Sequence, residues 1–433
     1  MQVPFMIVTI IALLILGSPV YLALLSGCVV YFVGSPTLSM FMLPQKMINA
    51  MDSFTFLAIP FFLIAGQIMN RGGITKRIFH FSDTLVGRFR GGLGYVNILG
   101  SFIFSGMSGS ALADIGGLGQ IEIQAMREAG FDDDFSIGIT AASSTIGPIV
   151  PPSLPFVTYA LFANVSLGNL FMAGFVPGFV MVITLGIMTF FITCKRKYPR
   201  GTKYSMKEVF KAFCSSFWAL LSPVLLIGGI WGGMVTPTEA ALVCVLYSLF
   251  IGLFVYKDIT LKEIPEILIE SFKAIVPICA INVASVVLAF IVNYEGLDSV
   301  IYNLIANVTT NKYVFLLLIN VFLLLINVFL LVVGMVLDPS ASMVVLIPIL
   351  APVARAFGID LIHFGIIFCL NMMIGLLTPP VGMSLYLLSS TNNKPFKEIR
   401  RAVAPWLIPL FVALLVVTYW EEFVLLIPRL FGY

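Results

Sequence analysis

The chain has 433 residues, of which 60% are hydrophobic and only 10% charged, with a mean hydropathy of +1.06 and a net charge of +3. Soluble domains carry roughly 25% charged residues, so a soluble fold is excluded and the chain reads as an all-α polytopic membrane protein. Two histidines and six cysteines without a CxxC spacing leave no basis for a His-built metal centre or a Ser/His/Asp catalytic set.

The N-terminal stretch is apolar and has no basic n-region, so it reads as a first membrane segment and not as a cleavable signal. Apolar stretches run over about 3–16, 19–34, 53–70, 94–112, 135–164, 168–193, 215–234, 238–256, 274–293, 314–354, 361–391 and 403–428. A full span needs roughly 20 residues, so several of these are short or interrupted. Lys and Arg favour the cytoplasmic side. Placing Arg71–Arg90 inside and alternating from there puts 20 of the 24 Lys and Arg inside, with Lys46, Lys312, Arg355 and Arg429 as exceptions. That count requires re-entrant hairpins over 94–128 and 314–354, and it places both termini outside.

The same alternation makes two repeats inverted. Segment 53–70 runs inward and its counterpart 274–293 runs outward; each is followed by a hairpin and then by a broken helix. The breaks match each other: Ile146-Gly147-Pro148-Ile149-Val150-Pro151-Pro152 aligns with Ile374-Gly375-Leu376-Leu377-Thr378-Pro379-Pro380, 228 positions later. Proline lacks an N–H and clashes with the preceding turn. In lipid such a break is tolerated only where the freed backbone is buried in protein or lines a cavity. Paired discontinuous helices of this kind mark the binding site of secondary transporters.

Both hairpins turn through small residues, hydroxyls and one carboxylate. The first has Ser105-Gly106-Met107-Ser108-Gly109-Ser110 followed by Asp114; the second has Gly334 to Ser342 with Asp338 and Ser340. Acidic groups at membrane depth are expensive and usually functional, although Asp114 and Asp338 also suit helix caps and the serines also suit helix packing. Oxygens suit a hard cation, half-helix C-termini favour it, and the opposing N-termini favour an organic anion. Thr238 is placed as the cap of a helix over 239–256, with Glu239 in its first turn. No Walker A sequence supports ATP-driven transport, and the Gly91/Gly94 pattern lacks the βαβ context of a nucleotide site.

Taken as a set, Ser105–Asp114, Gly147–Ser153, Thr236–Ala240, Gly334–Ala341 and Gly375–Gly382 resemble the large membrane subunit of TRAP transporters, the DctM/SiaM-like family. The resemblance implies an elevator-type, sodium-gradient-driven importer of an organic acid such as a sialic acid or a C4-dicarboxylate, multi-pass in a bacterial inner membrane. It also implies two partners, a small four-helix membrane subunit on a separate chain and a periplasmic substrate-binding protein. By the same resemblance, Ser105, Ser108, Gly147, Val150 and Pro152 supply one Na+ site. Gly334, Gly375, Thr378, Val381 and Met383 supply a second. Ser108, Ser110, Asp114, Asp338 and Ser340 border the substrate. The implied organisation is scaffold over 1–93, half a transport domain over 94–193, scaffold over 194–273, the second half over 274–402, and a C-terminal helix over 403–433. The competing readings are a binding-protein-independent divalent-anion/sodium symporter and an assembly subunit without transport of its own. One departure stands out: Val314–Asn320 is repeated at once as Val321–Asn327, which lengthens the first arm of the second hairpin by roughly 10 Å.

Overall fold

The computed structural model describes residues 2–296, 311–314, 317–318, 321, 339–379 and 382–432. Gly334, Asp338 and Val381, with most of the duplicated segment, lie outside the described residues. Among the described residues the chain is helical without a strand; one isolated antiparallel bridge pairs Arg90 with Arg200. Among the described residues five helices, including Leu167–Arg196, Met206–Trp231 and Ile264–Tyr294, are long and apolar enough to cross a membrane.

The chain opens with α1 (Gln2–Ile15), α2 (Val20–Gly34) and α3 (Met42–Met51), and the first repeat begins with α4 (Ala58–Arg71) and α5 (Ile74–Val86). The amphipathic α3 and α5 were not separated in the sequence reading, because their charges mask short apolar faces. The hairpin follows as α6 (Gly92–Ser108), α7 (Ala111–Gly116) and α8 (Leu118–Glu128). The stretch expected to break does so: α9 (Asp133–Ser144) and α10 (Leu154–Ala163) are separated by an irregular segment holding Pro148, Pro151 and Pro152. The return helix α11 (Leu167–Arg196) closes the unit.

After α12 (Met206–Trp231) and α13 (Pro237–Phe250), the second repeat runs through α14 (Ile264–Tyr294), α15 (Pro339–Ala356), α16 (Leu361–Gly375) and α17 (Met383–Asn392). It ends in α18 (Phe396–Val403) and α19 (Leu407–Tyr419). The order of helix, hairpin arm, broken helix and return helix therefore recurs, and α16 and α17 are separated by a second irregular segment. The two units interlock: α10 packs on α15, and α17 packs on α7.

One capping assignment changes. The cap of α13 is Thr236, whose hydroxyl accepts from Glu239 N–H (3.3 Å) while the Glu239 carboxylate accepts from Thr236 N–H (2.7 Å). Pro237 at the first helical position fixes that start, and the Thr-x-x-Glu spacing is a capping box. Thr238 instead donates to the Phe54 carbonyl (2.9 Å), tying α13 to the entry of α4.

The ion pairs respect the sidedness inferred from charge. Arg71–Glu270 (2.7 Å), Arg77–Asp258 (2.6 Å), Arg127–Asp133 (2.6 Å), Arg196–Asp134 (2.7 Å) and Lys394–Asp133 (2.9 Å) all join segments grouped on one side. Lys312–Glu421 (3.2 Å) and Arg429–Glu421 (3.8 Å) join segments grouped on the other.

Candidate functional site

The tip of the first hairpin is seated on the break of its own repeat. Gly109 ends α6 in the left-handed region (φ +58°), where glycine alone is free of Cβ strain. A Cβ there would stand 2.6 Å from the Pro152 carbonyl oxygen, and the Gly109 carbonyl accepts from Leu154 N–H (3.4 Å). One residue on, the Ser110 carbonyl lies 3.7 Å from where a Gly147 Cβ would stand. Glycine at 109 is what permits the close approach; the Ser110–Gly147 contact is of ordinary van der Waals length. Gly106, a turn earlier, abuts Pro223 of α12.

The break itself is held by short local bonds. Ile149 and Val150 N–H both donate to the Ile146 carbonyl (3.0 Å each), and the Ser153 hydroxyl donates to the Pro148 carbonyl while capping α10 at Phe156 N–H (3.1 Å). Among the described residues no N–H donates to the carbonyls of Gly147, Val150 or Pro152. Buried carbonyls are normally paired, so these three stand out as free acceptors in the segment on which the hairpin tip is seated. Ser105, fully buried one turn before the tip, donates its hydroxyl to the Phe102 carbonyl.

The second break repeats the pattern in part. The Thr378 N–H donates to the Gly375 carbonyl (3.0 Å), and its hydroxyl donates to the Ile374 carbonyl (2.8 Å). Ile374 and Ile146 are therefore equivalent acceptors. Gly382 (φ +61°) starts α17 at Met383, and a Cβ there would meet the Leu376 carbonyl at 2.8 Å.

Between the two breaks lies a cavity of about 350 Å³. The hairpin tip contributes Gly109 to Leu112, the broken helix Pro148, Leu154, Pro155 and Thr158, and the second repeat Met373 and Leu376. Ile59 and Leu63 of α4 and Pro277 of α14 close it from the two repeat-opening helices. The N–H groups of α10 are already engaged: Leu154 to Gly109, Phe156 to the Ser153 hydroxyl and Val157 to the Ser153 carbonyl. Ala111 and Leu112 N–H, by contrast, have no acceptor among the described residues, and both residues line the cavity. The uncommitted backbone donors among the cavity-lining residues named here thus belong to the hairpin tip and not to the broken helix.

Of the residues expected to border a substrate, Ser110 lines this cavity; the side chains of Ser108 and Ser340 and all of Asp338 lie outside what is described. Asp114 does not line it. It is buried on α7 among Asn97, Ser101, Glu122, Thr140 and Ser143, a polar cluster that the sequence reading did not assemble. Thr158, Met373 and Pro277 were also missed, since nothing in their local sequence separates a cavity wall from a packed interface.

On the charged side, Asp133 at the start of α9 is held below the usual carboxylate range by Lys394 and Arg127. Asp134 is lowered by Arg196. Because Lys394 precedes α18, the Asp133 pair joins the two repeats, and α18 packs along α9 where a Gly138 Cβ would stand 2.5 Å from the Ala402 carbonyl.

Comparison with known proteins places these features. The family described as "Tripartite ATP-independent periplasmic transporter, DctM component" matches residues 7–423. The sialic acid TRAP transporter large permease protein SiaM of Vibrio cholerae is 45% identical, with 98% of each chain covered. The C4-dicarboxylate TRAP transporter large permease protein DctM of Pseudomonas aeruginosa is 36% identical, with 94% of each covered. In fold, the chain is similar to the YdaH transporter of Alcanivorax borkumensis, with a TM-score of 0.67 at 13% identity over 96% of this chain and 98% of that one.

Proposed function

The chain belongs to the DctM family of TRAP transporter large permease subunits, and on that premise we propose that it imports an organic acid, coupled to an inward sodium gradient, by an elevator movement of the two hairpin units. A sialic acid is the first substrate to test, given the 45% identity to a sialic acid permease. A C4-dicarboxylate is the second. A separate small membrane subunit and a periplasmic binding protein complete the machine, and the binding protein carries most of the substrate selectivity.

The observation that supports the coupling is the docked hairpin tip, which leaves the carbonyls of Gly147, Val150 and Pro152 without N–H donors beside Gly109 and Ser110. These residues fit a hard monovalent cation by donor type. Ser105, Ser108, Gly147, Val150 and Pro152 would hold one Na+, and Gly334, Gly375, Thr378, Val381 and Met383 another. Each ion would neutralise backbone oxygens that otherwise repel one another, and so favour a seated hairpin. The substrate carboxylate would be received by the Ala111 and Leu112 N–H groups and the Ser110 hydroxyl, with the apolar wall of Leu154, Met373 and Pro277 excluding water. Differential affinity for sodium between seated and unseated hairpins is what would let the gradient shift the equilibrium.

The test is sodium titration of substrate uptake by the reconstituted three-component system, wild type against Ser110→Ala and Thr378→Val. We expect Thr378→Val to raise the sodium concentration at half-maximal rate and Ser110→Ala to raise KM for substrate. Identical sodium curves for wild type and Thr378→Val would remove the second site from the account.

A further inference from the structure

We infer that Glu122, with Asp114 beside it, holds a proton inside the first hairpin, at a site separate from the cavity and the broken-helix carbonyls. Both carboxyls are almost wholly buried, Glu122 at 1% exposure and Asp114 at 2%. Asp114 lies near enough for its charge to act on Glu122. Both Asp114 oxygens and Glu122 Oε1 lack hydrogen-bond partners by geometry among the described residues; the Ser101 hydroxyl beside Asp114 donates to Ser143 (3.2 Å).

The donors around Glu122 are those of a neutral acid. Asn97 Nδ2 donates to Oε2 (2.7 Å) and also meets Thr140 Oγ1 (2.7 Å), while the Ser143 hydroxyl donates to Asn97 Oδ1 (2.5 Å). One amide N–H on one oxygen satisfies a carboxyl C=O; an ionised carboxylate in a dry site gathers two or three donors or a cation. Oε1 is aimed elsewhere. A Cβ on Gly100 would stand 2.8 Å from Oε1 and 4.0 Å from Ser82 Oγ, and Ser82 is itself fully buried and unpartnered. A proton on Oε1 removes the charge from an oxygen that has no donor within reach, on the side of α6 where glycine at position 100 leaves room for it.

The neighbouring charges do not compensate the pair. On α5, Arg77 is engaged with Asp258 (2.6 Å) and Asp83 with Tyr204 (2.6 Å), while Lys76 and His80 line a separate 820 Å³ cavity with Gly117 and Ile121. On α9, Asp133 and Asp134 are taken by Arg127, Lys394 and Arg196. On α8 itself Arg127 is therefore engaged and Glu128 accepts from Gln124 (2.9 Å). The ring of Tyr95 is the titratable group of α6. Two ionised carboxylates would thus face each other without a counter-ion, which like-charge repulsion and desolvation both oppose.

Infrared spectroscopy of the purified protein in lipid tests this. The expected result is a protonated-carboxyl C=O band at neutral pH that Glu122→Gln removes and that Asp114→Asn shifts, together with a melting temperature that falls as pH rises for wild type and less steeply for Glu122→Gln. The neutral glutamine copies the shape and neutrality of the held acid, so that variant should fold. Should it not, the wild-type spectrum and its pH-dependent melting decide alone. Absence of the band in wild type overturns the assignment. So does a band untouched by Glu122→Gln, or one abolished by added sodium at constant ionic strength, which would make the pair a cation ligand.

Discussion

Gly109 and Pro152 stand so close that a Cβ on the glycine would lie 2.6 Å from the proline carbonyl oxygen. The contact joins a hairpin tip to the break of the following helix, two features that neither a packing role nor a turn role explains alone. Gly109→Ala adds a steric clash with backbone to a left-handed strain of roughly 1–2 kcal/mol. We expect it to unseat the tip and abolish sodium-dependent uptake while membrane insertion is retained. Uptake assays with parallel quantification of inserted protein check this; wild-type uptake in Gly109→Ala would mean the contact is incidental.

The interface between the repeats is tested at Gly138. A Cβ there meets the Ala402 carbonyl and the Trp406 ring at 2.5 Å each. Backbone cannot yield as a flexible side chain does, so Gly138→Ala is expected to destabilise by about 1–3 kcal/mol. Its melting temperature in detergent should fall, whereas Gly130→Ala, where no atom lies within 4 Å but φ is +81°, should show only the cost of backbone strain.

Acid should loosen the same interface. Asp133 is lowered chiefly by Lys394, so its ionised form is favoured in the folded state. Its contribution is present above the unfolded carboxylate value, about 3.9, and is lost as pH falls through the lower folded value. The groups are exposed by about a third, so the effect is that of a screened surface pair. Melting curves taken at decreasing pH should show a loss for wild type that is smaller in Asp133→Asn, the remainder including the Asp134–Arg196 pair.

The start of α13 separates two threonines. Thr236→Ala removes the capping box and should cost about 1 kcal/mol. Thr238→Val removes a bond to the Phe54 carbonyl instead. Denaturation by heat should show both losses, and because the two side chains sit in one helix turn the double variant measures their coupling.

Much of this architecture was legible in sequence because lipid leaves few options. Apolar length located α11 and α14, proline pairs located both breaks, and Lys and Arg asymmetry required a first hairpin where α6 to α8 are found; of the second hairpin, only the arm α15 lies among the described residues. The hairpin-to-break contact follows from Gly109 and its neighbours, since glycine and serine in an apolar turn permit close backbone approach. What was not legible depends on rotation about helix axes. Asp114 belongs to a turn beside the cavity, yet its side chain joins Glu122 from the next helix. Thr158 and Met373 become neighbours of one cavity only through packing of two repeats more than 200 positions apart. Thr236 was legible, through the Thr-x-x-Glu spacing and Pro237, but the nearer Thr238 drew the assignment.

Sodium coupling through the hairpin-and-break sites is the central claim. The most direct measurement is initial uptake of sialic acid into proteoliposomes holding this chain, its small subunit and the loaded binding protein, with an inward sodium gradient against equal sodium on both sides. The account predicts concentrative uptake only with the gradient and only with the binding protein. Equal accumulation without a sodium gradient would contradict it.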